Sequence, residues 1–551
     1  MKKIIFILGL AAVVLGTSCS DVLDLNPADR FSPATVWSTT TTADKYVIGL
    51  YSIFGANTEM RGGDAYASPR LSDAYSDILK STSWNQYNHN FNATLLQETA
   101  FNSNSAGAFE CWSSHYDRIR RENEFLRDAA EFGSKFGEDW LKIRIAEVRF
   151  CRAYAYFMLC RVYGGVILRT EVDGPEQNDK ARSTEEECWG FIINELKELA
   201  PDLPLKWDSD NSGRATQKAA YGLLSRVALY AEKWDVAAQA ARDCATAEGN
   251  LDLSKNGYAK IFELGINSPE VLFAVEFKSS VIDHAYDAYV RPSGDTKELG
   301  KQVYSGFVPT SELVDSYEMA GDGGNFSWEK HGKDPYANRE PRFYATILYN
   351  GADWMGRKIE SFVGGKDGYK AYENAGAAGT TVTGYYLRKS LIDGDKTWVT
   401  SGSGQDWIVL RYAEVLLNKA EALAMENWNK NSAEALQALN DVRARVGLPA
   451  RATADKETFL EYVRHERKVE LAGEGFRYWD LRRWRLAEKV IDGQNVHGVK
   501  ISKQSDGSFT YEQVDADGGH KRIFYDRYYR FAIPLSERSN NSLCTNNDGW
   551  I

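Results

Sequence analysis

The chain has 551 residues, 77 acidic and 66 basic, for a formal net charge of −11. That length supports a large core, in one big domain or a few smaller ones. An acidic chain without basic blocks excludes nucleic acid as a partner. Lys2 and Lys3, the apolar run 4–14 and the residues Gly16, Thr17 and Ser18 before Cys19 have the layout of a secretory signal. The run is shorter than the roughly 20 apolar residues that span a bilayer. Residues 1–18 are therefore expected to be a signal peptide. Cys19 would be the lipid anchor of a bacterial lipoprotein, although Gly16 stands where such signals usually carry Leu. The alternative is an ordinary signal cut nearby, with Cys19 incidental. Each acyl CH₂ buried in the membrane contributes about 0.8 kcal/mol to such an anchor.

Residues 19–37, with Pro27 and Pro33, read as anchor and tether. Helical spacing of Ala43, Val47, Leu50 and Phe54 predicts a helix over 41–54, and Trp112, Tyr116, Ile119, Asn123 and Leu126 predict another over 108–130. Three later stripes look related: Ala146, Phe150, Ala153, Phe157 and Cys160; Ala220, Leu224, Val227 and Ala231; and Ala413, Leu416, Ala420 and Leu423. The second and third each run on through an Ala-Leu and a Glu to a Trp, Trp234 and Trp428, and then into another alanine-rich helix. Small residues where two helices cross, with large ones beside them, follow the logic of tetratricopeptide units. A simple helical hairpin could show the same spacing. Residues 271–404 are rich in Gly, Tyr and Trp and poorly periodic, with short candidate strands at 271–277 and 384–389. Residues 405–491 are again helical, and 492–551 form a C-terminal segment that opens on a Gly- and Asp-rich stretch. The organisation expected is an N-terminal helical region at 38–270 and a C-terminal region at 271–551. Beyond Cys19 the six cysteines 111, 151, 160, 188, 244 and 544 lack zinc-finger or CxxC spacing. They are expected as buried thiols, with disulfides as the alternative.

Ordered motifs along the whole chain resemble those of the SusD/RagB family, the nutrient-uptake lipoproteins of Bacteroidota. The start Cys19-Ser-Asp-Val-Leu-Asp24, the helix carrying Trp112, Tyr116, Ile119 and Asn123, and Glu147-Val-Arg-Phe-Cys-Arg-Ala-Tyr154 ending at Tyr163-Gly-Gly165 are similar to its N-terminal half. Gly213-Arg-Ala-Thr216, Arg411-Tyr-Ala-Glu414 and Asn440-x2-Arg443-x-Arg445-x-Gly447-Leu448-Pro449 are further matches. So are Glu466-Arg467-x2-Glu470-x3-Glu474-Gly475-x-Arg477-x2-Asp480-Leu481-x-Arg483-Trp484, Ile533-Pro534-x2-Glu537 and Asn547-Asp548-Gly549-Trp550. Asp548 stands where the family commonly has Pro. The resemblance implies a mostly α SusD-like fold, with tetratricopeptide-like helix pairs as scaffold, an irregular loop-rich region and a few short β-strands. It also implies an outward-facing place on the outer membrane, a SusC-like TonB-dependent β-barrel as partner, and glycan or sometimes peptide binding without chemistry or cofactor.

Glu466, Glu470 and Glu474 share a helical face but lie among Arg467, Arg477, Arg482 and Arg483. Cations depress carboxyl pKa values, the opposite of what a glycosidase acid needs, so an ion-pair network is expected there. His465-Glu466 lacks a second zinc ligand, since position 469 is Val; Gly402-Ser-Gly404 lacks the third Gly of a dinucleotide loop; and the loop opening at Asp208 has Ala219 at its twelfth position, where calcium needs a carboxylate. Sugar rings have apolar faces edged by hydroxyls, and so require aromatic platforms beside amide or carboxylate groups. Trp84, Asn85, Tyr87 and Asn88 have that composition, in a region where the family often places ligand aromatics. Tyr286, Tyr289, Trp328, Trp354 and Trp398 are the candidates in the middle loops. For each aromatic the alternative is a buried loop anchor. Trp112, Trp234, Trp428 and Trp484 lie in helical patterns and are expected in the core.

Overall fold

The structure is a computed structural model that describes residues 32–56, 71–82, 101–174, 179–254, 257–371 and 380–550. Cys19, the signal segment and Trp84, Asn85, Tyr87 and Asn88 lie outside the described residues. The N-terminal half is helical: α1 (Thr40–Leu50), α2 (Trp112–Phe132), α3 (Glu138–Tyr163), α4 (Glu185–Leu199), α5 (Gln217–Tyr230) and α6 (Trp234–Thr246). Helices α1 and α4 start at capping boxes, Thr39 with Thr42 and Thr184 with Glu187, which satisfy the free N–H groups of the first turn. Successive helices α3 to α6 pack on one another. Helix α3 is buried on almost every side from Ala146 to Tyr163, with Cys151, Ala153, Ala155 and Cys160 leaving room for its neighbours. Gly222 in α5 serves the same end, since a Cβ there would stand 3.0 Å from Leu272.

In the C-terminal half lie α7 (Tyr286–Val290), α8 (Tyr412–Arg445), α9 (Lys456–Glu470) and α10 (Arg477–Arg483). Asn427, with φ −165° and ψ 94°, breaks α8 where the sequence parallel places a turn. The described strands form two-stranded ladders only. Of β1 (Leu79–Ser81), β2 (Val271–Val275), β3 (Phe307–Pro309) and β4 (Trp407–Arg411), β1 pairs antiparallel with β3 and β2 with β4; β5 (His497–Lys503) and β6 (Phe509–Asp515) form a hairpin. The second candidate strand shrinks to Tyr386–Leu387. The aperiodic region is not loose coil. Phe307, Leu313, Tyr317, Phe343, Trp354, Tyr385 and Tyr386 build a core of their own beside the helical one. Trp112 is core as expected, whereas Trp234, Trp428 and Trp484 are only partly buried. The six described cysteines are buried and unpaired.

Several motif residues are tie-bars between distant segments. Trp112 Nε1 donates to Glu537 (3.1 Å), Tyr116 to the Ile167 carbonyl (2.8 Å), Arg214 to Glu147 (2.7 Å) and Asn547 to the Phe531 carbonyl (2.7 Å). A buried ionic seam ties the C-terminal region together, with Glu270 at its N-terminal border. Glu470 meets Arg411 (2.6 Å), Arg342 (2.9 Å) and Arg445; Glu466 meets Arg342 (2.5 Å) and Arg443 (3.0 Å); Glu474 meets Arg411 (2.7 Å) and Lys389 (2.6 Å). Glu270 accepts from Arg411 and Arg445, and Glu318 from Arg443. The network is as expected but its partners are not. The arginines adjacent in sequence turn away: Arg467 reaches from α9 to Asp480 on α10, and α10 directs Arg477 to Asp77 and Arg483 to Glu421 and its own Asp480.

Candidate functional site

Helix α7 divides its two tyrosines between core and surface. Tyr286 is 4% exposed, and its hydroxyl donates to the Lys389 carbonyl (3.1 Å). Tyr289 is half-buried, and its ring stacks on Tyr304 with centroids 5.1 Å apart and planes 24° apart. Tyr304 is 42% exposed. Backbone hydrogen bonds clamp the pair: Tyr304 N–H donates to the Ala288 carbonyl (2.7 Å) and Gly306 N–H to that of Tyr289 (2.6 Å). Ser305, at φ +46°, makes the reversal between them and donates its hydroxyl to the Arg291 carbonyl (2.8 Å).

The base beneath this pair is where two predicted platform residues lie. Arg291, fully buried, donates to Asp287 (2.8 Å) and has its guanidinium 5.2 Å from the Trp354 ring centre and 5.1 Å from that of Trp398. Trp354 is wholly buried and donates to Asp295 (3.0 Å); Trp398 is 1% exposed. Neither offers a face to a ligand, and neither does Tyr286. All three are loop anchors that hold α7, because a large ring in an aperiodic segment gains more from burial than from water.

Trp328 belongs to a separate cluster. It is half-buried against Phe326 (5.4 Å, 84°) and Tyr511 (6.0 Å, 44°), and donates to Asp315 (2.9 Å). Burial pushes the Asp315 carboxyl up to about 6, against the pull of the Trp328 hydrogen bond. Burial alone would likewise raise Glu474, but Arg411 and Lys389 hold it at about 2, and Arg445, Arg411 and Arg342 hold Glu470 well below the carboxylate range. These two glutamates are ionised ion-pair partners and cannot donate a proton near neutrality.

Tyr304 is a site residue that the sequence does not mark: no period singles it out, and its placement depends on the Ala288 and Tyr289 carbonyls clamping residues 304 and 306. Strand β1 leads into this site: Thr82 donates its N–H to the Gly306 carbonyl (3.0 Å) and its hydroxyl to that of Ser305 (2.7 Å), two positions ahead of Trp84. The site is an open platform. A cavity of 700 Å³ beside Tyr258, Phe262 and Tyr344 and one of 440 Å³ beside Phe54 and Phe273 are lined by neither Tyr289 nor Tyr304. The Asp208 loop is a capped turn, with Asp208 accepting from the N–H groups of Asp210 and Asn211.

Comparison with known proteins gives this half-helical scaffold its class. A family model described as "SusD family" matches residues 269–550, and one described as "Starch-binding associating with outer membrane" matches residues 21–229. The chain belongs to the SusD family. A SusD-like protein of Bacteroides ovatus is 25% identical over 547 residues, covering 94% of this chain and 90% of that protein. The crystal structure of a SusD-like protein from Bacteroides fragilis superposes with a TM-score of 0.78 at 27% identity, over 94% of this chain and 99% of that one. Surface glycan-binding protein A of Bacteroides thetaiotaomicron, solved in complex with laminarihexaose, shares the fold with a TM-score of 0.66 at 18% identity, over 92% of this chain and 98% of that one. The fold is thus the mostly α SusD-like fold that the motifs imply.

Proposed function

We propose that this protein is a cell-surface glycan-binding lipoprotein. It captures oligo- or polysaccharide without chemical change and delivers it to a SusC-like TonB-dependent transporter. The observation that carries the reading is the Tyr289–Tyr304 stack, whose Tyr304 ring is exposed, on a buried base of Arg291, Trp354 and Trp398. A pyranose presents an apolar C–H face, and a preformed aromatic surface meets it at little entropic cost. Trp84, Asn85, Tyr87 and Asn88, which follow Thr82 closely in sequence, are proposed to extend the platform and supply amide hydrogen bonds. Trp328 with Asp315 is proposed as a secondary contact. The family descriptions and the fold-mate that holds laminarihexaose support a carbohydrate ligand and an outer-membrane setting. Acylated Cys19 is the proposed anchor, with the body facing outward.

Isothermal titration or affinity electrophoresis against a panel of glycans and peptides tests this. Binding to at least one glycan, weakened by Tyr304→Ala, is expected, with no reducing ends released. Binding to peptide alone would transfer the protein to the peptide-uptake reading. Release of reducing ends that a carboxylate-to-amide change abolishes would make it a glycoside hydrolase.

A further inference from the structure

At one end of the helical scaffold, the C-terminus of α3, the N-terminus of α4, the α5–α6 turn and α10 enclose a pocket of 100 Å³. Its walls carry five arginines: Arg161, Arg482, Arg483, Arg485 and Arg530. Two are neutralised, Arg483 by Glu421 (2.5 Å) and Asp480 (2.7 Å), and Arg530 by Glu185 (2.6 Å). Arg161 and Arg482 form no ion pair among the described residues. Arg161 reaches only the Met158 sulfur (3.2 Å), and Arg482 the carbonyls of Arg161 (3.4 Å) and Tyr529 (2.8 Å). The Nε of each is buried without a hydrogen-bond partner, and Arg482 is only 5% exposed. Both guanidinium groups lie over the indole of Trp479, at 4.2 and 4.7 Å from its centre. Arg485 is exposed on the rim with a loose contact to Asp526 at 4.0 Å. The remaining acid in the wall, Glu232, sits at φ +55° in the α5–α6 turn and has no ion pair among the described residues.

A desolvated guanidinium without a carboxylate is costly, and ring contacts and carbonyls offset only part of that cost. Burial, reinforced by Arg530 and Arg161, brings Arg482 down to about 10, so it is still a cation at neutral pH. Arginine side chains converging on one small polar pocket form a fork-like donor set suited to planar or tetrahedral oxygen groups.

We propose that this pocket is an oxyanion site, which takes a single sulfate, phosphate or carboxylate group, free or carried on a sugar, between Arg161, Arg482 and Arg485. At 100 Å³, beside cavities of 440 and 700 Å³ elsewhere, it accommodates a charged group rather than a length of chain. It shares no lining residue with the tyrosine pair and stands independently of the function proposed there.

The test is titration of the full chain with sodium sulfate and sodium phosphate, with chloride holding ionic strength constant. A sulfated and a carboxylated monosaccharide follow, each against its neutral parent. Wild type is expected to bind at least one oxyanion. Glu232→Gln, which removes the competing negative charge, should tighten it about threefold, and Arg485→Ala should weaken it by about as much. Both positions are exposed, so the fold persists in both. Arg482→Gln, with its fold checked by circular dichroism, should weaken binding by about tenfold; if that variant unfolds, the two surface variants decide. Binding of the charged sugar but not its parent identifies a pendant group as ligand, and binding of the inorganic ion alone identifies a free anion; either upholds the site. Absence of oxyanion binding above chloride, or affinity unchanged in both surface variants, overturns it.

Discussion

Tyr304 and Trp354 are both aromatic residues of the middle region, yet their removal should have opposite signatures. Tyr304→Ala takes away an exposed ring, so unfolding is expected to change by under about 0.5 kcal/mol, while glycan affinity falls about 3- to 10-fold through lost stacking. Trp354→Ala empties a buried site and is expected to cost about 3–5 kcal/mol in denaturant unfolding. A second contrast lies at Glu122, which is fully buried in α2 with neither carboxyl oxygen hydrogen-bonded. Burial raises its pKa to about 8, against the pull of Arg152 and Arg118. The folded state therefore holds this proton more tightly than the unfolded chain does, and stability falls as pH rises from about 4.5 to about 8. Glu122→Gln removes that loss. It should stabilise by about 1–3 kcal/mol at neutral pH and by nothing near pH 4, as read from urea midpoints across pH.

The ionic seam belongs to the scale of elements, because its groups come from β4, α8 and α9 and from segments before and after them, Glu270, Glu318, Arg342, Lys389 and Glu474. Breaking one buried partner strands the others, so Arg411→Met is expected to cost about 3–5 kcal/mol, measured by chemical denaturation. The depressed pKa values of Glu470 and Glu474 have the opposite sign to that of Glu122: their stabilisation is present above about pH 4.5 and disappears as pH falls through the folded values. How far these elements were legible depended on period. Helix α2 was readable because Trp112, Tyr116, Ile119 and Asn123 repeat on one face, and the break in α8 because the Trp428 segment parallels Trp234. The partners of Glu470 were not readable, since Arg342 and Arg411 reach it only through tertiary folding. The burial of Trp354 and Trp398 is not readable for the same reason. In an aperiodic stretch nothing local says which ring is covered, and the cover here is Arg291, distant in sequence from both.

For the whole molecule, the proposed anchor and the folded body are separable. Cys19→Ala is expected to abolish lipid labelling and membrane association while leaving thermal unfolding and glycan binding unchanged. Retained labelling would place the lipid elsewhere. Strand β2, just past residue 270, is where the N-terminal and C-terminal regions meet. Strand β2 is hydrogen-bonded to β4, and Phe273 packs in the same core as Phe54 and Phe150.

The seam also sets a schedule. Its earliest member is Glu270 and its latest Glu474. At a synthesis rate of about 5–20 residues per second, roughly 10 to 40 seconds separate their appearance. Until the later segment emerges, Arg342, Arg411, Arg443 and Arg445 lack the glutamates 466, 470 and 474 that complete their pairing. A chain that stops short of α9 is left with Arg342, Arg411 and Arg443 to bury and too few carboxylates to receive them. Completion of the seam thus marks a finished molecule, and an interrupted one stays open to proteases.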